Sequence, residues 1–214
     1  MILFDLDGTL TESGEGIIKS VQHALRSFSI EETDTQKLRR FVGPPLTDSF
    51  QKYYGLSAED AEKAVAVYRE RFAVKGIFEN ALYPGVLEML KALKEKGLVL
   101  AVSSSKPEKF VNQVLEYFHI DAFFDIVVGS TLDGGRKDKA SVIRETIVRL
   151  KADPETERLI MVGDTEHDVK GAEEVGIPCI AVTYGYGDAE SIRQAGPVKI
   201  AESVEELTSI LLHL

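Results

Sequence analysis

Ile2, Leu3, Phe4 and Leu6 form a short apolar run leading into Asp7-Gly8-Thr9, which predicts a buried strand ending in a turn. The period then changes. Ile17, Ile18, Val21, Ala24, Leu25 and Phe28 recur at helical spacing between Glu15 and Phe28, and helical signals continue to about Val74, broken by Gly43-Pro44-Pro45 and by Gly55. Ser57-Ala58-Glu59-Asp60 reads as a helix start, with an acidic residue three positions after the cap. No strand is predicted between Thr11 and Leu82. After Tyr83-Pro84-Gly85 the two periods alternate. Val86 to Lys96 reads as a helix stopped by Gly97, and Leu98 to Val102 as a strand. Pro107 to Phe118 reads as a helix with Phe110, Val111, Val114, Leu115 and Phe118 on one face. Strands are predicted at Ile126 to Val128, Leu159 to Val162 and Cys179 to Val182, with helices at Ala140 to Leu150 and Asp168 to Val175. Short helix-like segments follow around Ser191 and from Val204 onward.

Strands alternating with helices predict a doubly wound, Rossmann-like parallel sheet of the α/β class, covered on both faces. Continuous apolar strands such as Leu98-Val99-Leu100-Ala101-Val102 fit burial on both sides. The first strand belongs to this body, which takes residues 1–12 and 82–214. The helical stretch between, residues 13–81, is too long for a simple connection, at roughly 65–70 residues, and should form a unit of its own.

Composition narrows the class. The chain has 214 residues, 44% hydrophobic and 28% charged, a balance that predicts a folded domain and not a disordered one. Its formal net charge of −10 argues against a nucleic-acid binder working through a basic face. With one cysteine, Cys179, there is no internal disulfide framework and no CxxC metal or redox site. No apolar run approaches the ~18 residues of a membrane span, and Met1-Ile2-Leu3-Phe4-Asp5 lacks a basic signal-peptide start. The expectation is a cytoplasmic protein with no membrane or nucleic-acid partner.

Ligands in open parallel sheets bind beyond the carboxyl ends of the strands. Four predicted strand ends carry chemistry there: Asp5 and Asp7; Ser103-Ser104-Ser105-Lys106; Lys137 and Lys139; and Gly163-Asp164-Thr165-Glu166-His167-Asp168. Asp5 and Asp7 are two apart, so in extended chain they point to the same side, and carboxylates held close together repel unless a cation or a proton intervenes. With Asp164 and Asp168 they make an all-oxygen set suited to a hard cation, Mg²⁺ first. The competing interpretation is turn and cap chemistry, since Asp-Gly is a common turn pair and Asp164 or Asp168 could cap a helix. An EF-hand is excluded, because the fourth and twelfth positions counted from Asp5 are Gly8 and Gly16. Gly129 to Gly134 has the glycine spacing of a P-loop, but Gly135-Arg136 follows where Lys-Ser/Thr is required, and no G-x-G-x-x-G opens a helix. A cation, a carboxylate and an amine in one cleft suit phosphoryl transfer, with a carboxylate available as nucleophile.

Asp5-Leu6-Asp7-Gly8-Thr9-Leu10, the serine run, Lys139 and Gly163-Asp164-x-x-x-Asp168 resemble, in order, the four motifs of the haloacid-dehalogenase-like hydrolases. The helical insert resembles the small cap of that family, and Phe41-Val42-Gly43-Pro44-Pro45-Leu46 within it resembles phosphoglycolate phosphatases and related 5′-nucleotidase-like proteins. The resemblance implies a Mg²⁺-dependent phosphatase acting on a small phosphorylated metabolite, phosphoglycolate-like first and a nucleoside 5′-monophosphate second. Asp5 would be nucleophile and metal ligand. Asp7 would be the general acid and then base, lending its backbone carbonyl to the metal. Asp164 would be a ligand, with Asp168 as a further ligand or an anchor. Gly8, Ser104, Ser105 and Lys139 would contact the phosphoryl group, and Gly43 the substrate from the cap loop. Ser104 matches the second motif better than Ser103, and Lys139 the third better than Lys137, with Ser103 and Lys137 as alternatives. A phosphomutase and a phospho-acceptor signalling domain are the rival functions, and a monomer or homodimer is expected. His167 is expected at a helix start near the rim, Cys179 in the core, Arg39 and Arg40 on a solvated helix or at the substrate, and Tyr184-Gly185-Tyr186-Gly187 in a loop of the body.

Overall fold

The computed structural model describes residues 1–132, 135–136 and 138–214. Its central sheet is made of β1 (Ile2–Phe4), β4 (Leu100–Pro107), β5 (Ile126–Ser130), β6 (Ile160–Gly163), β7 (Cys179–Val182) and β8 (Lys199–Ala201) in the order β5-β4-β1-β6-β7-β8. Every pairing is parallel: Ile2 sits opposite Leu100 on one side and Ile160 on the other. The chain order reverses direction at β1, so the carboxyl ends of β1, β4 and β6 flank the switch point where such sheets bind ligands. Two further strands, β2 (Thr11–Glu12) and β3 (Ala81–Leu82), form a separate two-stranded sheet.

The helices are α1 (Gly14–Ser27), α2 (Thr35–Leu38), α3 (Leu46–Tyr54), α4 (Ala58–Phe72), α5 (Val86–Glu95), α6 (Glu108–Tyr117), α7 (Lys139–Leu150), α8 (Glu166–Val175), α9 (Ala189–Ala195) and α10 (Val204–Leu212). On one side of the sheet, Leu3, Ala101, Met161, Cys179 and Ala181 pack with Ile143 and Ile147 of α7 and Val169 and Ala172 of α8. β1, β6 and β7 are buried nearly throughout, as strands covered on both faces must be.

The chain divides into two units, Met1–Glu12 with Leu82–Leu214, and Ser13–Ala81. In the second, Ile17, Val21, Ala24 and Leu25 form the buried stripe of α1, which packs on α4, and α4 packs also on α3. Ser57 caps α4 by accepting the Asp60 N–H at 3.1 Å. Arg71 forks onto both oxygens of Glu79, at 2.8 and 2.9 Å, and reaches the Ser20 hydroxyl at 3.1 Å.

Several boundaries differ from the sequence expectations. The strand expected at Leu98 to Val102 runs instead from Leu100 to Pro107, so the serine run lies on the strand and not after it. The register against β5 shifts between Ser103 and Pro107, a local irregularity that apolar periodicity does not encode. β8 was not expected. It is three residues long, begins on an exposed lysine and lies at the sheet edge, where polar residues replace the apolar signature. The two-residue strands β2 and β3 were likewise too short for a periodic signal. α8 starts at Glu166, earlier than Asp168, because Thr165 and Asp168 form a capping box at its entry.

Candidate active site

Asp5 follows β1 directly and is buried. Beyond it the chain coils tightly, with the Leu10 and Thr11 N–H groups donating to the Leu6 carbonyl at 2.9 and 3.0 Å and Gly8 N–H to the Thr11 carbonyl at 2.8 Å. Gly8 has φ +83°, and a Cβ there would stand 2.0 Å from Asp164 Oδ2, so this position needs glycine for both conformation and space.

Four strand ends converge around Asp5. Its Oδ1 accepts the Leu6 N–H at 2.7 Å, and its Oδ2 lies 3.0 Å from Lys139 Nζ. The Ser104 hydroxyl stands near the same carboxyl group and favours its charged form. Lys139 is the first residue of α7, whose preceding Asp138 caps the helix by accepting the Ser141 N–H at 2.8 Å. Its Nζ also meets Asp168 Oδ1 at 2.8 Å and donates to the Ser103 carbonyl at 3.1 Å. The other oxygen of Asp168 accepts the Thr165 N–H and O–H at 3.0 and 2.7 Å, so the helix cap of α8 fixes a carboxylate against the lysine. Asp164 Oδ2 accepts the Tyr186 N–H at 2.8 Å, and its Oδ1 faces the Thr9 hydroxyl at 3.4 Å.

One carboxylate oxygen from each of Asp5, Asp164 and Asp168 lies within 4.8 Å of the others, and all three residues are buried. Among the described residues Lys139 is the one cation paired with this cluster, which leaves them an excess of negative charge in a low-dielectric place. The electrostatics register this. Burial, with Asp168 adding to it against the pull of Lys139, pushes the Asp5 carboxyl up to about 6. Burial and the charges of Asp168 and Asp5 lift Asp164 well above the ordinary carboxylate range. Burial lowers Lys139, but Asp168 and Asp5 outweigh it and hold the ammonium above its ordinary value. Three hard oxygen donors with surplus negative charge fit a divalent cation such as Mg²⁺.

Ser103 and Ser104 separate clearly. Ser103 Oγ lies 3.0 Å from Thr146 Oγ1 in the interior, whereas the Ser104 hydroxyl is at Asp5. Ser105 is half-buried on β4. Lys137 falls outside the described residues. Asp7 does not join the acidic cluster through its carboxylate: both oxygens lie 2.7 Å from Lys106 Nζ, in an ion pair with little solvent exposure. Sequence reasoning gave Lys106 no role. Its only signal was its place directly after the serine run, and its partner is far away in the chain. The contacts of Thr9 and Tyr186 with Asp164 were not expected, the second because it is made by the backbone; the sequence offered the Tyr184 or Tyr186 ring only as a wall for a nucleotide base. His167 is exposed in the first turn of α8, with Nε2 at 3.7 Å from Glu166. Gly43, Arg39 and Arg40 belong to the second unit. Arg39 and Arg40 open the 3₁₀ turn Arg39–Phe41, the Arg40 guanidinium is 5.8 Å from the Tyr53 ring, and Gly43 lies in the segment leading to α3.

Comparison with known proteins bears on what this arrangement does. The family model for haloacid dehalogenase-like hydrolases matches residues 2–182. A 5′-nucleotidase of Pseudomonas aeruginosa is 41% identical over 98% of this chain and 94% of its own. The tyrosine-protein kinase PtkA of Mycobacterium tuberculosis is 36% identical over 99% of this chain and 72% of its own. Phosphoglycolate phosphatase 1 of Pseudomonas aeruginosa is 31% identical over 97% and 78%. A crystal structure described as a predicted phosphatase from Clostridium acetobutylicum superposes with a TM-score of 0.95 at 46% identity, covering 100% of this chain and 98% of that one. The chain belongs to the haloacid dehalogenase-like hydrolase family, among its phosphatases.

Proposed function

We propose that the protein hydrolyses a small phosphomonoester through a covalent aspartyl-phosphate on Asp5, with Mg²⁺ as cofactor. The observation that carries this reading is the convergence around Asp5 of Ser104 from β4, Lys139 from the start of α7, and Asp164 and Asp168 from the segment that follows β6. The Asp5 carboxylate attacks phosphorus and the bond to the leaving oxygen breaks, while Asp7 delivers a proton to that oxygen. Asp7 then takes a proton from water. The water oxygen bonds to phosphorus, the bond from phosphorus to Asp5 breaks, and inorganic phosphate departs. Lys106 contacts both Asp7 oxygens, so this pair must open before Asp7 can hand over a proton. Ser104 and Lys139 hold the phosphoryl oxygens, and Lys139 keeps the Asp5 carboxylate aligned. Mg²⁺ would be held by Asp5, Asp164 and Asp168 with the Asp7 backbone carbonyl, and would supply neutralisation of the charge on the transferring phosphoryl group. The inserted helical unit takes the role of a cap that excludes bulk water.

Two substrate readings stand within this function. A phosphoglycolate-like ester is one. A nucleoside 5′-monophosphate is favoured by the higher identity of the nucleotidase-named relative and by an aromatic pair next to the Asp5 turn: the Tyr83 and Tyr184 rings meet at 4.9 Å, and the Tyr184 hydroxyl donates to the Thr9 carbonyl. A phosphomonoester panel containing both, run with Mg²⁺ and after chelation in ¹⁸O-labelled water, is the test. Metal-dependent release of phosphate carrying solvent oxygen is expected. Transfer of the phosphoryl group to a second substrate, without solvent oxygen in free phosphate, would contradict hydrolysis and favour a mutase or kinase.

A further inference from the structure

We propose that the Tyr184-Gly185-Tyr186-Gly187 loop is the positioning element for the Asp164 carboxylate and thereby sets the affinity for the divalent ion. This rests on the reading of Asp164 as a metal ligand. The loop lies between β7, which ends at Val182, and α9, which begins at Ala189 behind its own cap, Asp188. Neither the sheet nor the helix therefore requires the contacts that the loop makes with the site.

Those contacts are close and specific. Tyr186 N–H donates to Asp164 Oδ2 at 2.8 Å, which fixes the rotation of the carboxylate. A Cβ on Gly185 would lie 2.4 Å from that oxygen and 2.4 Å from the Gly8 carbonyl oxygen, and a Cβ on Gly187 would lie 2.0 Å from the Asp164 carbonyl oxygen. Only glycine permits the loop to press at once on Asp164 and on the turn that carries Asp5 and Asp7. Tyr184 fastens the same two parts: its hydroxyl donates to the Thr9 carbonyl at 2.9 Å, and its ring packs edge-on against Tyr83. Thr9 in turn faces the other Asp164 oxygen. Each oxygen of the carboxylate thus has its own partner, one from the loop and one from the turn, and Tyr184 ties loop to turn. Partners of this kind orient metal ligands, and their loss costs about 10–100-fold in metal affinity.

The test is a magnesium titration of the full chain followed by thermal unfolding without substrate, so that binding is read as stabilisation. Four proteins are compared: the parent, Asp164→Asn, Gly185→Ala and Tyr184→Phe. The parent should be stabilised saturably and Asp164→Asn should lose the response. Gly185→Ala should raise the magnesium midpoint by roughly tenfold or more. Tyr184→Phe, which keeps the ring and removes one hydroxyl, should raise it by a smaller factor, and it decides the matter alone if Gly185→Ala does not fold. A purely structural loop would lower the unfolding temperature in chelator and leave the midpoint at the parent value. That result overturns the inference while the reading of Asp164 stands. A parent without a magnesium response, or an Asp164→Asn variant that keeps it, overturns the reading of Asp164 and the inference together.

Discussion

Replacing Asp5 with Asn is expected to lower phosphomonoester turnover by on the order of 10⁴-fold or more, because it removes the proposed attacking group while keeping its shape. The same change should raise the unfolding temperature in chelator. Asp5 is buried among Asp164 and Asp168 with Lys139 the paired cation, so a neutral amide relieves repulsion that the metal-free protein otherwise carries. Stability gained alongside activity lost separates this outcome from a simple folding defect. An unchanged rate would show that Asp5 is not the nucleophile, and a lower unfolding temperature would show that the cluster is not overcharged. Steady-state rates and thermal unfolding in chelator measure both.

Lys139→Met should be damaging in both respects. Lys139 Nζ bridges Asp5, Asp168 and the Ser103 carbonyl in the interior. Removing one partner of a buried ion pair leaves uncompensated charge and costs about 3–5 kcal/mol. Here three carboxylates are left without that cation. Denaturant unfolding should show the loss in chelator, and it should shrink when magnesium is added, since a bound cation replaces part of the missing charge. Turnover should fall by about 10²–10³-fold, the usual cost of removing a group that stabilises developing charge. A metal-free stability equal to the parent's would place the lysine outside the cluster's charge balance.

The fold class was readable because buried parallel strands and amphipathic helices leave two different periods in the chain, clear in segments such as Leu100 to Val102 and Ile17 to Leu25. The candidate site was readable in part, for a similar reason: in this architecture chemistry collects beyond strand ends, where Asp5 and Asp164 directly follow β1 and β6 and Lys139 opens the helix after β5. Other features depend on register and distance. Neighbouring residues on an extended strand face opposite ways, so choosing between Ser103 and Ser104 requires knowing which face points to Asp5. The shift between Ser103 and Pro107 hides that. The Lys106–Asp7 pair joins residues far apart in sequence, and a lysine beside serines carries no mark of its partner. Tyr186 meets Asp164 through an amide that every residue but proline possesses, so its side chain gave no hint of that contact. β8 escaped because three edge residues beginning with lysine carry too little apolar pattern.

The measurement closest to the central claim is chemical trapping of the intermediate. The enzyme is mixed with substrate and Mg²⁺, quenched during turnover and reduced with borohydride, which converts an acyl phosphate on aspartate into homoserine. Peptide mass spectrometry should find homoserine at position 5 of the parent and none in the Asp5→Asn variant. Homoserine at another aspartate, or an unmodified Asp5 in an enzyme that is turning over, would contradict the account.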